Sequence, residues 1–262
     1  MQFYPLFGLR ILSKARALRA LKMKKTKFTV SVVIPAYNEE KYLAQTLESL
    51  VEQKTDYDFE VVVVDNNSHD QTAQVALSFK NRLNIRVISE KKQGRGPARK
   101  RGFDQALGEI IVSLDADTIV YPDWLKVLVN NLKGETIATT TSCKIDDCSY
   151  FTRTIFNFFE PKVMILLRLL FGHFWLAGFS FAMLRSDYVK SGGFDPTLQA
   201  QEDLDLSLRV AKLGKIKFIN QPVIFSGRRF KQSLLKGLYQ YIATFIEAFF
   251  LNKKDIYLSN VR

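Results

Sequence analysis

The sequence predicts an α/β fold, a mixed, mainly parallel sheet flanked by helices. Three runs carry that reading: 29–36 (TVSVVIPA), 60–65 (EVVVVD) and 109–114 (EIIVSL) are β-branched and almost continuously apolar. Strands of that kind are buried on both faces, as in parallel sheets covered by helices. Helical patterns alternate with them at 39–52, 70–80 and 98–107, and a shorter strand pattern lies at 85–89. A chain of 262 residues, 47% hydrophobic and 24% charged, suffices for one large core and excludes general disorder.

The elements follow in order. Residues 1–27 read as a basic arm, with eight cations from Arg10 to Lys27 and no acid before Glu39. Leu9, Leu12, Leu18 and Leu21 recur at near-helical spacing, which suits an interfacial helix on anionic lipid or a frayed basic tail. Arg10 interrupts the apolar stretch, so no export signal is expected. Cys143 and Cys148 are expected as reduced thiols, and the expected location is cytoplasmic, with at most peripheral contact with the membrane.

The second half is more aromatic. Residues 163–184 hold one full charge, Arg168, over a length that would reach across a bilayer, but Gly172, His173, Gly178 and Ser180 divide them. A helix, a turn and a strand at 178–184 fit better, with a break or kink at Pro161. A helix is expected at 201–213, short strands at 217–219 and 222–225, and an amphipathic helix along 234–250.

Ligands of open parallel sheets bind outside the carboxyl ends of the strands. Here those ends carry Tyr37, Asn38 and Glu39, then Asp65, Asn66 and Asn67, then Asp115, Ala116 and Asp117. Two carboxylates one residue apart in a turn can converge on a hard divalent cation, Mg²⁺ or Mn²⁺, which would neutralise a diphosphate. Glu202 and Asp203 open a helix; read alone, they complement its dipole more readily than they offer a general base. Arg228 and Arg229 follow the last strand, as phosphate partners or as exposed cations.

Six segments in order resemble glycosyltransferase family 2, whose fold is GT-A: SVVIPAYNEE (31–40), VVVDNNSHD (62–70), GRGPARKRG (94–102), LDADT (114–118), GGFD (192–195) and QEDLDL (201–206). The resemblance implies an inverting, metal-dependent transferase with a nucleotide-diphosphate sugar as donor, a UDP-sugar first by family frequency. It implies that Pro35, Tyr37 and Glu39 form the first nucleotide-contacting loop, that Asp65 reads the base, and that Arg99 lines the donor pocket. Asp115 and Ala116 then lie on the donor side, Asp117 with Asp115 holds the metal, and Asp203 deprotonates the acceptor hydroxyl. Glu202, Trp175 and Gly178 fall on the acceptor side. The implied layout is a transferase domain over 28–230, divided near 118 into nucleotide-sugar and acceptor halves, with a helix and tail at 231–262.

There are departures. The common D-D-G-S turn is Asp65-Asn66-Asn67-Ser68, Lys100 stands where asparagine is usual, and no histidine follows the last strand. Instead Ser226-Gly227-Arg228-Arg229-Phe230 resembles the basic motif of membrane-associated relatives, with the arginines on the leaving diphosphate. The Q-x-x-R-W of processive polymerases is absent, so single-sugar transfer to a glycan or lipid-linked acceptor is expected, in cell-envelope glycan or glycolipid synthesis. The competing classes are a non-catalytic nucleotide-sugar or nucleic-acid binding module and a nucleotidyltransferase. A net charge of +12 permits nucleic acid, but the acidic loops at the strand ends argue against it.

Overall fold

The computed structural model describes residues 28–231 and 233–249. The basic arm of residues 1–27 and the tail beyond 249 lie outside the described residues. Eight strands form one sheet: β1 (Val30–Ala36), β2 (Phe59–Asp65), β3 (Ile85–Ser89), β4 (Ile110–Leu114), β5 (Thr118–Ile119), β6 (Thr136–Lys144), β7 (Ser180–Leu184) and β8 (Lys215–Phe225). Their spatial order is β3-β2-β1-β4-β7-β6-β8-β5. Strands β3, β2, β1 and β4 run parallel, β7 enters antiparallel between β4 and β6, and β8 pairs parallel with β6. This is the mixed, mainly parallel sheet the sequence predicts.

Alternation along the central strands feeds two cores. Val30, Val32 and Ile34 face helices α1 (Leu43–Val51), α2 (Thr72–Ser78) and α4 (Trp124–Asn130). Val33, Val62 and Val64 face α3 (Arg95–Gln105) and α7 (Glu202–Ala211), through Ala98, Phe103, Leu206 and Val210. Both faces are covered, which is why these strands read as unbroken apolar runs. Helix α3 lies close on the sheet: a Cβ at Gly102 would come 2.3 Å from a Val33 methyl.

Several expectations need correction. Helix α3 begins at Arg95, not 98, because Pro97 falls in the first turn, where its missing N–H has no intrahelical partner to lose. Helix α5 (Tyr150–Phe171) runs unbroken through Pro161. Proline removes one hydrogen bond, and the helix is anchored on both sides of it, by Phe156 against the core and by buried Met164. The two short strands expected at 217–219 and 222–225 are one strand, β8. A register shift between Thr141 and Cys143 of the partner strand absorbs the Asn220–Pro222 irregularity.

The segment 163–184 does divide into the end of α5, a left-handed cap at Gly172 and strand β7. Helix α6 (Arg185–Lys190) follows β7, and α8 (Leu234–Phe249) closes the described chain. Among the described residues no helix is long and apolar enough to cross a membrane.

Candidate active site

The loops after β1 and β2 leave the sheet side by side, since Ala36 pairs with Asp65 in register. Asn38 and Asn67 take left-handed backbone, φ 52° and 62°, a region that asparagine enters at small cost. The Asn38 N–H donates to Ser68 Oγ at 3.0 Å and the His69 N–H donates to Asn38 Oδ1 at 2.9 Å, so the two loops form one unit. Asp65 caps its own turn, with Oδ1 accepting from the Ser68 N–H. Pro35 lies within β1, and Tyr37 stands edge-on to His69.

Asn66 explains one departure from the family pattern. Its amide donates to the carbonyls of Glu90 and Lys92, and its Oδ1 accepts from the Gly94 N–H at 2.8 Å. An aspartate there could not donate; the asparagine ties the second acidic loop to the basic loop that opens α3.

Asp115, Ala116 and Asp117 form a tight turn between β4 and β5. The Ala116 carbonyl accepts from Thr46 Oγ1 at 2.8 Å, and the Asp117 carbonyl accepts from the Ser226 N–H at 3.1 Å. Pairing of Thr118 with Phe225 holds the turn beside the loop after β8. Arg228 thereby reaches Asp117 at 2.7 Å and forks onto both oxygens of Glu39 at 2.9 and 2.8 Å. Its guanidinium also lies over the Tyr42 ring. Burial pushes the Asp117 carboxyl up to about 7, against the pull of Arg228 and with Asp115 and Glu39 adding repulsion. Arg229 is half-buried next to it.

Arg99 organises the other half. It is 3% exposed. Nη2 donates to Asp115 Oδ1 at 2.6 Å, Nε to Glu202 Oε1 at 2.9 Å, and Nη1 to Ser113 Oγ and the Gly178 carbonyl. Asp203, in the first turn of α7, accepts from the Gly178 N–H at 3.0 Å and from the Leu204 N–H at 2.8 Å. Burial, reinforced by Glu202, pushes its carboxyl up to about 6, while Arg99 and the two N–H groups pull it down. Gln201 caps the helix in left-handed backbone, φ 60°.

Gly178 is required by this crowding. A Cβ there would lie 2.4 Å from Arg99 Nη2 and 3.2 Å from Asp203 Oδ2. Arg99 is held by four partners and cannot yield. Gly178→Ala is therefore expected to destabilise the protein by about 1–3 kcal/mol and to lower kcat/KM more than about tenfold by displacing Asp203; thermal unfolding and steady-state kinetics measure the two effects.

The structure thus gathers Asp115, Glu202, Gly178 and Asp203 around Arg99, and Glu39 and Asp117 around Arg228. Pro35, Tyr37 and Asp65 stand on the β1–β2 side of the same sheet edge. Trp175 is half-buried in the segment that leads from α5 to Gly178. Sequence reasoning missed Ser113, Thr46 and Tyr42. Ser113 alone left a signal, a single hydroxyl inside an apolar strand.

Could this site hold the divalent cation that its chemistry suggests? Among the described residues, no three His, Cys, Asp or Glu groups cluster as a metal cage. Asp115 and Asp117 nevertheless fit an ion completed by substrate oxygens and water, which is how Mg²⁺ is usually held at phosphate sites. The buried, repelled carboxyl of Asp117 is the group such a cation would relieve.

The family model described as glycosyl transferase family 2 matches residues 31–193. The poly(ribitol-phosphate) beta-N-acetylglucosaminyltransferase TarS of Staphylococcus aureus is 41% identical over 101 residues, 37% of this chain and 17% of TarS. The probable glycosyltransferase YdaM of Bacillus subtilis is 29% identical over 198 residues, 71% of this chain and 47% of YdaM. The chain thus spans less than half the length of these curated relatives. A crystal structure of TarS residues 1–349 superposes with a TM-score of 0.62 at 23% identity, covering 87% of this chain and 67% of that one. The mannosyltransferase PcManGT of Pyrobaculum calidifontis, solved with GDP-Man and Mn²⁺, gives a TM-score of 0.59 at 25% identity, over 90% of this chain and 72% of that one.

Proposed function

Because the chain belongs to glycosyl transferase family 2, we propose that it moves a sugar from a nucleoside-diphosphate donor to an acceptor hydroxyl with inversion, Asp203 serving as the base. The observation that carries this reading is one buried arginine, Arg99, joining donor-side Asp115 to the helix turn that bears Glu202 and Asp203. A carboxyl raised to about 6 is charged at neutral pH yet basic enough to take a proton. In the reaction, Asp203 accepts the proton of the acceptor hydroxyl as its oxygen bonds to the anomeric carbon. The bond from that carbon to the diphosphate oxygen breaks, and an α-linked donor gives a β-linked product.

Arg228 and Arg229 face the leaving diphosphate in this reading, and Pro35, Tyr37, Glu39 and Asp65 the nucleoside, with UDP-sugars first among the donors. Mg²⁺ or Mn²⁺ on Asp117 and Asp115 would neutralise charge on that diphosphate. PcManGT was solved with GDP-Man and Mn²⁺, and a glucosyl-3-phosphoglycerate synthase of Mycobacterium tuberculosis with UDP and Mn²⁺, which supports such donors and such ions here. The transferase domain is taken as 28–230, with its nucleotide-sugar half ending near 118 and its acceptor half holding Trp175, Gly178 and Glu202. The acceptor is a glycan or lipid-linked glycan of the cell envelope, met in the cytoplasm at the membrane face by way of the basic arm and the 234–250 stripe.

The test is a panel of nucleotide-sugars assayed for binding and hydrolysis with Mg²⁺ or Mn²⁺; no hydrolysis of any donor would overturn the reading. Asp117→Ala is expected to weaken Mn²⁺-dependent nucleotide binding about tenfold or more, seen by calorimetric titration, and an unchanged titration would remove the metal role.

A further inference from the structure

Helix α5 turns one narrow stripe to the protein and leaves the rest bare. Thr152, Phe156, Glu160 and Met164 recur every four residues on the inner side; Thr152 and Met164 are buried, and Phe156 packs on the core. On the outer side Phe151 and Leu169 are 71% and 76% exposed, and Phe158, Phe159, Leu166 and Leu170 are exposed with them. Half of the large apolar side chains exposed among the described residues lie on this one helix. Apolar area of that extent marks an interaction surface.

The face continues onto α8. The Phe230 ring lies tilted 4.9 Å from that of Phe156, and a Cβ on Gly237 would lie 2.4 Å from the Phe230 ring, so the two helices share one buried aromatic. Leu235, Tyr239 and Ile242 of α8 are also exposed.

Charge selects the occupant. Lys162 and Arg168 are exposed on α5, with Lys162 over the Phe158 ring and Arg168 over Phe174, while the helix's single acid, Glu160, sits on the inner stripe. A second copy of this chain would set these cations against their equals. The 1–27 segment, with eight cations and no acid, is no better a cover. An apolar band that on α5 is fringed by Lys162 and Arg168 matches an anionic phospholipid surface.

The geometry points to α5, extended by α8, as a helix that lies in the interface of an anionic membrane. Resting on the transferase reading, it also presents the acceptor side there: α5 ends at Gly172, and residues 173–178 lead directly to Gly178, whose N–H holds Asp203. A lipid-linked acceptor would then meet the site at the membrane surface.

The full chain is tested by flotation with phosphatidylcholine vesicles, with and without phosphatidylglycerol, at low salt. Wild type is expected to float with the anionic vesicles only, and the double variant Leu166→Asp, Leu169→Asp to lose binding about tenfold or more. Hydrolysis of the donor by water is expected to be unchanged in that variant, which shows that it folds. Undiminished flotation of the double variant, or no flotation of wild type, would overturn the proposal. So would a wild-type dimer in light scattering that the double variant dissolves. Loss of flotation alongside absence of donor hydrolysis in wild type as well would sustain the docking and sink only the transferase reading.

Discussion

Asp203→Asn is expected to reduce kcat by about 10²–10⁴-fold while leaving the donor's Kd within about a factor of two. The asymmetry follows from position. Asp203 hangs from the first turn of α7 and touches the Gly178 and Leu204 N–H groups, whereas the carboxylates assigned to the donor, Asp115 and Asp117, belong to the turn after β4. Asparagine keeps the volume and one oxygen acceptor but cannot take a proton from the acceptor hydroxyl. Single-turnover transfer separates the two quantities, and a variant that retains full kcat would remove Asp203 as the base.

The same residue sets a pH dependence. Its carboxyl titrates near 6, raised from 3.8 by burial and by Glu202. The base must be unprotonated, so kcat/KM is expected to fall about tenfold per pH unit below about 6 and to level off above it. Stability runs the other way. A carboxyl whose pKa is raised by folding contributes most below its unfolded value and loses that contribution as pH rises through about 6. Activity is thus gained over the same interval in which Asp203 costs stability, and the Asp203→Asn variant is expected to lose this limb of the profile.

How much of this was written in the chain depends on the length scale. Strands β1, β2 and β4 were legible because they are buried on both faces and so carry no competing polar pattern. Strand β6 was not. Its TIATTTSCK lacks the unbroken apolar run of the others, and its burial comes from pairing between β7 and β8 and from distant partners: Thr139 Oγ1 donates to Leu128 O, and Thr140 Oγ1 to Ser180 O while accepting from the Ala177 N–H. The strand-end acids were visible as a convergence. The ion pairs that organise them were not, since Glu39 and Arg228 are 189 residues apart and nothing local marks either as the other's partner. Nor does the dipeptide Glu202-Asp203 differ, by itself, from any helix start; the order of six motifs gave it meaning, and Gly178 gave it a position.

Arg99→Met is expected to be the most damaging substitution for the fold as well as for the site. The basic loop at 94–102 holds four cations that composition cannot tell apart, yet only Arg99 is buried, while Arg95 and Lys100 are half-buried and Arg101 exposed. Burial opposes its charge, but Asp115, Glu202 and Asp203 outweigh that and keep it protonated. Methionine fills part of the space and supplies none of the donors. Buried Glu202 would lose its cation, Asp115 its 2.6 Å partner, and Ser113 Oγ and the Gly178 carbonyl a shared donor. Removing one member of a buried ionic cluster costs about 3–5 kcal/mol, because the charges left behind remain desolvated. Denaturant unfolding should read that loss. The double variant Arg99→Met, Glu202→Gln should recover about half of it, since the amide carries no stranded charge. Transfer should not recover, because neither variant restores the tie between the donor turn and the helix bearing Asp203. Were Arg99→Met alone to unfold like wild type, the buried arginine would be a bystander, and the two halves of the site would have to be positioned by the sheet alone.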